Sequence, residues 1–177
     1  MKVIVLAGMP GSGKEEFVKI ASQEGIFAVR MGEVVREEVK SRGLELTDSN
    51  IGRIASKERE KHGFGIWAKR TVPLVEGDVV LIDGIRGETE LEVFKRAFGD
   101  DMVLVGIRAS PEIRYERIVK RNREDATITW EAFLERDSRE IGWGIESAID
   151  QCDHMILNEG SLKDFQDEVR NLLKTLK

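Results

Sequence analysis

Gly8-Met9-Pro10-Gly11-Ser12-Gly13-Lys14 is the stretch whose reading decides the fold. Before it runs Val3-Ile4-Val5-Leu6, a short continuous apolar segment of the kind found in strands buried on both faces. After it, Phe17, Val18, Ile20 and Ala21 recur at helical spacing. The pattern G-x-x-x-x-G-K, set between a buried strand and a helix, is a phosphate-binding loop. Its glycines let the backbone curl so that successive N–H groups point at phosphate oxygens, and the helix N-terminus adds partial positive charge. Gly8 to Lys14 are therefore expected to cradle a nucleoside triphosphate, with Lys14 reaching its outer phosphates.

Outward from this loop, apolar strands alternate with helical stretches, which predicts a parallel sheet with helices on both faces. Phe27-Ala28-Val29 reads as a second strand, followed by a helix from Glu33 to about Ser41. Asp48 to about Val75 has helical spacing with a break near Gly63 and Gly65, and stands as a helical insertion spanning about 44–76. Val79 to Ile82 and Met102 to Ile107 are the third and fourth strands. Pro111 suits a first helical turn after Ser110, and a charged helix runs on to about Arg123. Thr129 caps a further helix, Met155-Ile156-Leu157 is a fifth strand, and Ser161 caps a last helix with Leu162, Phe165, Val169 and Leu172 on one face. The expectation is one α/β domain over 1–177: a three-layer P-loop fold with a five-stranded parallel sheet, the helical insertion and a short lid-like segment at about 121–139.

Composition narrows the function. The chain has 177 residues, enough for a core that folds without staples, and a net charge of −5. That balance argues against general nucleic-acid binding, whose affinity rests on phosphate contacts from basic residues. Apolar runs are strand-sized, so no membrane span is expected, and no signal peptide precedes the Gly-rich turn. A single cysteine, Cys152, fits a reducing cytosol, and His62 with His154 are too few for a metal cage.

Two acidic residues are metal candidates. Asp83 ends the third strand, where a carboxylate beside the loop commonly holds Mg²⁺; the plainer reading is a turn residue before Gly84. Glu15 stands after Lys14, where a Ser or Thr hydroxyl usually meets Mg²⁺. Three roles are open to it: a carboxylate ligand, a side chain turned away with water in its place, or a charge that weakens triphosphate binding by repulsion; the plainer reading is a residue that favours the first turn through the helix dipole.

The chain resembles the adenylate-kinase-like group of P-loop kinases, which includes dephospho-CoA kinase, and within it an archaeal family related to adenylate kinase. Besides the loop, Met31-Gly32-Glu33-Val34-Val35-Arg36 is similar to the stretch where those kinases place an arginine on the acceptor's phosphate. Asp83-Gly84-Ile85-Arg86 looks like their strand-end turn, whose following arginine contacts phosphate. Arg121, Arg123, Arg136 and Arg139 flank a segment resembling a lid. Asp153 to Ser161, including Asn158, is similar to the final strand and loop that frame adenine. The resemblance implies ATP and Mg²⁺ as cofactors, Arg36 and Arg86 on a small phosphate-bearing acceptor, and Arg121 and Arg123 closing on the transferred group.

Phosphoryl transfer is mostly positioning and charge neutralisation, so a gathering of one lysine, several arginines and Mg²⁺ is what the chemistry needs. If the acceptor atom is a hydroxyl, Glu33 is the candidate general base; a phosphate oxygen needs none. Arg114 and Arg117 share a helix face with Arg121 and read more as partners of Glu112, Glu116 and Glu124 than as phosphate ligands. Trp67 could stack on a base but belongs more readily to the core; Trp130 and Trp143 read as packing. Missing is the Pro-Arg ending of the adenylate kinase Asp-Gly motif, which puts AMP as acceptor in doubt. The expected function is ATP-dependent phosphorylation of a nucleoside monophosphate or dephospho-CoA-like acceptor in the cytoplasm. The alternative is an ATPase switch acting on a protein or ribonucleoprotein partner.

Overall fold

The computed structural model describes residues 1–121 and 128–176. Five parallel strands form one sheet in the order β2-β3-β1-β4-β5, namely β1 (Lys2–Gly8), β2 (Phe27–Arg30), β3 (Val79–Asp83), β4 (Met102–Arg108) and β5 (His154–Leu157). Along β1 the side chains alternate between two cores. Val3, Val5 and Ala7 join one cluster with Val80, Ile82, Trp67, Leu91 and Phe94. Ile4 and Leu6 join the other with Phe17, Ile20, Leu81, Phe165, Val169 and Leu173. A strand sunk in both layers has no polar face, which is why its sequence is an unbroken apolar run.

Helices cover both faces: α1 (Lys14–Gln23), α2 (Met31–Ser41), α3 (Asp48–His62), α4 (Ile66–Thr71), α5 (Glu88–Phe98), α6 (Pro111–Arg121), α7 (Trp130–Gly142), α8 (Ile145–Asp150) and α9 (Leu162–Leu176). The insertion is the pair α3 and α4, separated at Gly63, whose φ of 86° closes α3. Thr129 accepts from the Ala132 N–H at 3.2 Å, and Ser161 from that of Asp164 at 3.2 Å, so both expected caps form.

Three expectations need correction. Helix α2 starts directly at Met31, leaving no loop between Arg30 and Glu33. Helices α5 and α8 were not anticipated. On α9 the buried positions are Phe165, Val169, Leu173 and Leu176, while Leu162 is 61% exposed. Spacing from Phe165 by four, eight and eleven selects Leu173 over Leu172. The lid-like segment contributes α7 to the described residues; Arg123 lies outside them.

Candidate active site

The loop from β1 to α1 takes its shape from Gly11 and Gly13, at φ 81° and 120°. A Cβ at Gly13 would also overlap the Asn158 amide nitrogen, so the position is closed to any side chain. Gly13 caps α1 without a side chain, which leaves the helix N-terminus open to an anion. Lys14 folds its ammonium back onto the loop, donating to the carbonyls of Gly8 at 2.5 Å and Met9 at 3.2 Å. Burial lowers its pKa from 10.5 to about 8, against the pull of the Asp83 carboxylate.

Asp83 ends β3 and stands opposite Leu6 of β1 in the parallel register, beside the loop. Burial raises its pKa, with Lys14 and Arg30 opposing. Its Oδ1 and the Ser12 hydroxyl are buried without a hydrogen-bond partner among the described residues. An orphaned buried polar atom costs about 1–3 kcal/mol, so each is a place where a bound ligand would find an open partner. The donor set fits a triphosphate: the Ser12 O–H, the Lys14 ammonium and the loop N–H groups all favour anionic oxygens. It fits Mg²⁺ as well, a hard cation that takes one or two carboxylates and shares phosphate oxygens. No cluster of three or more His, Cys, Asp or Glu suited to a metal occurs among the described residues.

Behind the loop, Arg114 and Arg117 do something the sequence reading did not foresee. Arg114 is buried, with its Nη1 donating to the Pro10 carbonyl at 3.1 Å and its fork closed on the Asp137 carboxylate of α7. Arg117 donates to the Ser12 carbonyl at 3.4 Å and to the backbone and side-chain oxygens of Asn158 at 3.0 and 3.2 Å. Asn158 in turn donates to the Ser12 carbonyl at 2.8 Å. These bonds tie the loop's carbonyls to α6 and to the segment after β5, away from the N–H groups. The expected pairing of both arginines with Glu112 and Glu116 on their own helix is replaced by this bracing.

The remaining candidates lie around the ends of β2 and β3. Glu15 is held by Arg30, Oε1 at 2.8 Å and Oε2 at 3.2 Å, in an exposed pair. Arg30 ends β2 in register with Asp83. Arg36 pairs with Glu33 at 2.7 Å on the exposed face of α2. Arg86 follows the Asp83-Gly84 turn; its N–H meets Glu90 at 2.6 Å and its guanidinium pairs with the buried Glu140 of α7. Arg121 sits exposed at the end of α6, and the charges of Arg86, Glu140 and Arg136 are all felt at Lys14. Trp67 is fully buried, its Nε1 bonded to the Ala55 carbonyl at 3.2 Å, so it is core. Trp143 is not simply packing: it is 42% exposed and borders a shallow dent beside Arg86 that has room for little more than a water molecule.

The structure thus gathers Lys14, Ser12, Asp83, Arg86 and Glu140 around one end of the sheet, and leaves Arg36 with Glu33. Sequence reasoning missed Arg30, Asp137, Glu140 and Trp143. One signal was present for two of these: Asp137 and Glu140 fall on the same face of α7 as buried Phe133. Charges on an apolar stripe announce buried partners.

A family model described as AAA domain matches residues 4–141. A UPF0200/UPF0201 protein of Archaeoglobus fulgidus is 46% identical over 99% of this chain and 56% of its own length, so the chain spans little more than half of that relative. A UPF0200 protein of Methanoculleus marisnigri is 45% identical over 98% of this chain and 96% of its own. Among solved structures, a shikimate kinase from Bacteroides thetaiotaomicron superposes with a TM-score of 0.65 at 13% identity, covering 99% of this chain and 98% of that one. At that identity the likeness is one of fold, that of P-loop kinases. No described helix is long and apolar enough to cross a membrane.

Proposed function

The chain belongs to the AAA-domain family and to the UPF0200 proteins, and from that premise we propose that it transfers the γ-phosphoryl group of ATP to a small acceptor that itself carries phosphate. The observation that carries this reading is the presence of two orphaned buried atoms, the Ser12 Oγ in the phosphate loop and the Asp83 Oδ1 at the end of the strand beside it. In this reading the loop N–H groups, Ser12 and Lys14 bind the phosphates, and Asn158 supports the loop beneath them. Asp83 holds Mg²⁺, which when bound neutralises charge developing on the phosphates. Glu15 joins Asp83 at the metal only by leaving Arg30. Arg86 and Arg36 take the acceptor's phosphate, and Arg121 with Arg123 closes on the group in transit. A hydroxyl acceptor, as in a dephospho-CoA-like molecule, would give up its proton to Glu33; a nucleoside monophosphate would need no base. The adenylate-kinase-like resemblance and a cytoplasmic setting belong to the same reading.

A second reading, an ATPase switch acting on a protein or ribonucleoprotein partner, is favoured by one observation. Arg36 and Arg86 are both already paired, with Glu33 and Glu140. Labelled ATP offered with a panel of phosphorylated acceptors separates the two. In a kinase, Arg36→Ala raises the acceptor's KM and leaves ATP binding unchanged, while Lys14→Ala abolishes turnover. Hydrolysis that proceeds without any acceptor, and is indifferent to Arg36→Ala, sinks the kinase and leaves the switch.

A further inference from the structure

Arg30 and Glu15 meet where the phosphate loop faces the end of β2, and the proposed function leaves the arginine without a task. Arg30 is the last residue of β2, level with Asp83 of β3 in the parallel register, and neighbouring strands stand about 4.8 Å apart. The Asp83-Gly84 turn lies against the start of α2: a Cβ at Gly84 would stand 3.8 Å from the backbone nitrogens of Met31 and Gly32. Glu15 comes from the other side, next to Lys14 in the first turn of α1. The Arg30 guanidinium closes on its carboxylate as a fork, Nη2 donating to Oε1 at 2.8 Å and Nη1 to Oε2 at 3.2 Å. Asp83 is near enough that its charge and that of Arg30 act on each other. Arg36, by contrast, lies six residues and about 9 Å further along α2.

The arginine pairs at this end of the sheet are not equally firm. Arg114 and Asp137 are both buried, and Arg86 holds a buried Glu140, so breaking either pair strands a charge away from water. The Arg30 and Glu15 side chains are 36% and 57% exposed. An exposed pair contributes little, so its members exchange readily for other partners. A phosphate offers Arg30 the same planar match as a carboxylate, with more charge. Glu15, once released, is taken up by water.

We propose that Arg30 is a further phosphate-binding residue of this site, and that Glu15 is its built-in counter-ion, filling the guanidinium fork until a phosphate takes the carboxylate's place. The inference rests on the reading of the loop as a triphosphate site, and it holds whether the nucleotide serves a kinase or a switch. It also gives the departure at position 15 a reason, since a Ser or Thr there would leave the fork of Arg30 unfilled in the empty site. The phosphate comes from one of two sources, the outer end of the nucleotide or the acceptor, and binding measurements tell them apart.

Calorimetric titrations of the full chain measure ATP, ADP and, on the ADP-loaded protein, inorganic phosphate, each with Mg²⁺ and again in EDTA. Parent, Glu15→Gln, Arg30→Ala and the double variant are compared; the pair is exposed, so all four are expected to fold. Glu15→Gln frees the fork and should tighten one of these ligands by up to about 5-fold, in EDTA as well as in Mg²⁺. Adding Arg30→Ala to it should then cost that ligand about 10- to 100-fold, the contribution of hydrogen bonds to a charged group. A response by ATP and not by ADP places the outer phosphate of the nucleotide in the fork; a response by phosphate on the ADP-loaded protein places the acceptor's there. If Arg30→Ala costs nothing in the Glu15→Gln background, Arg30 only screens Glu15 and the inference is overturned. A loss of affinity in Glu15→Gln in EDTA, the mark of a pair that works intact, overturns it as well. Affinities unmoved in every variant refute it and leave the triphosphate site standing, whereas a parent that binds neither ATP nor ADP sinks both.

Discussion

Replacing Lys14 by methionine should make the apo protein more stable at neutral pH while destroying nucleotide binding. The ammonium is held in a site that lowers its pKa from 10.5 to about 8, chiefly through burial, with Asp83 returning only part of the loss. The difference of about 2.5 pH units, at 1.36 kcal/mol each, corresponds to about 3 kcal/mol of destabilisation by the charged form. That figure is an upper bound, since the side chain keeps some contact with water and its two bonds to the Gly8 and Met9 carbonyls vanish in the variant. A net gain of about 1–2 kcal/mol is expected at pH 7, or roughly 2–8 °C in Tm for a chain of this size. The sign with pH follows from linkage. The folded state releases the proton near pH 8 and the unfolded chain keeps it to about 10.5, so the parent gains stability as pH rises through that window. Urea unfolding of parent and Lys14→Met, from pH 6.5 to 10.5, isolates this group because other titrations cancel in the difference. The parent should close on the variant as pH rises. Curves that run parallel across the window, with the variant less stable throughout, would refute the idea that the loop stores an uncompensated positive charge for an anion.

Glu15→Ser breaks an exposed pair with Arg30 and should change stability by about 1 kcal/mol or less. It should also raise Mg²⁺-dependent ATP affinity in calorimetric titrations with and without the metal; a weaker complex would mean that Glu15 leaves Arg30 to become the metal's preferred partner. Asp137→Ala leaves the buried Arg114 uncompensated and should cost about 3–5 kcal/mol in chemical denaturation, whereas an effect below about 1 kcal/mol would show the pair to be dispensable. Gly87→Ala sets a methyl group against the Trp143 carbonyl backbone, and a fall of about 1–3 kcal/mol is expected; an unchanged Tm would mean that the two turns are not in contact.

What the sequence disclosed was what is local. The loop, its strand and its helix can be read because their residues are consecutive and each has one physical task. The caps at Thr129 and Ser161 are local for the same reason. The end of the α9 face differs because Leu172 and Leu173 are both apolar: Leu173 is the fully buried member of the core, and Leu172 packs against it only partly buried. Arg114 was beyond reach, since its carbonyl partner Pro10 lies 104 residues away and no spacing on α6 encodes that bond. The resemblance led to Arg36 and Arg86 as acceptor contacts, and the structure finds each of them beside a carboxylate. Such partners come from three-dimensional proximity, and a helical wheel cannot supply them. Trp143 was lost differently: half-exposed aromatics and core aromatics look alike in a sequence.

Helix α7 holds two of those distant partners one turn apart, Asp137 for Arg114 and Glu140 for Arg86. Three residues of α-helix advance about 4.5 Å, so the anchors form a short crossbar. One end is fastened to the carbonyl side of the phosphate loop and the other to the exit of β3. Two fastenings on one face also fix the roll of the rod, because turning it by a single residue would release both. The phosphate loop and the turn after β3 therefore share one piece of helix as their common support.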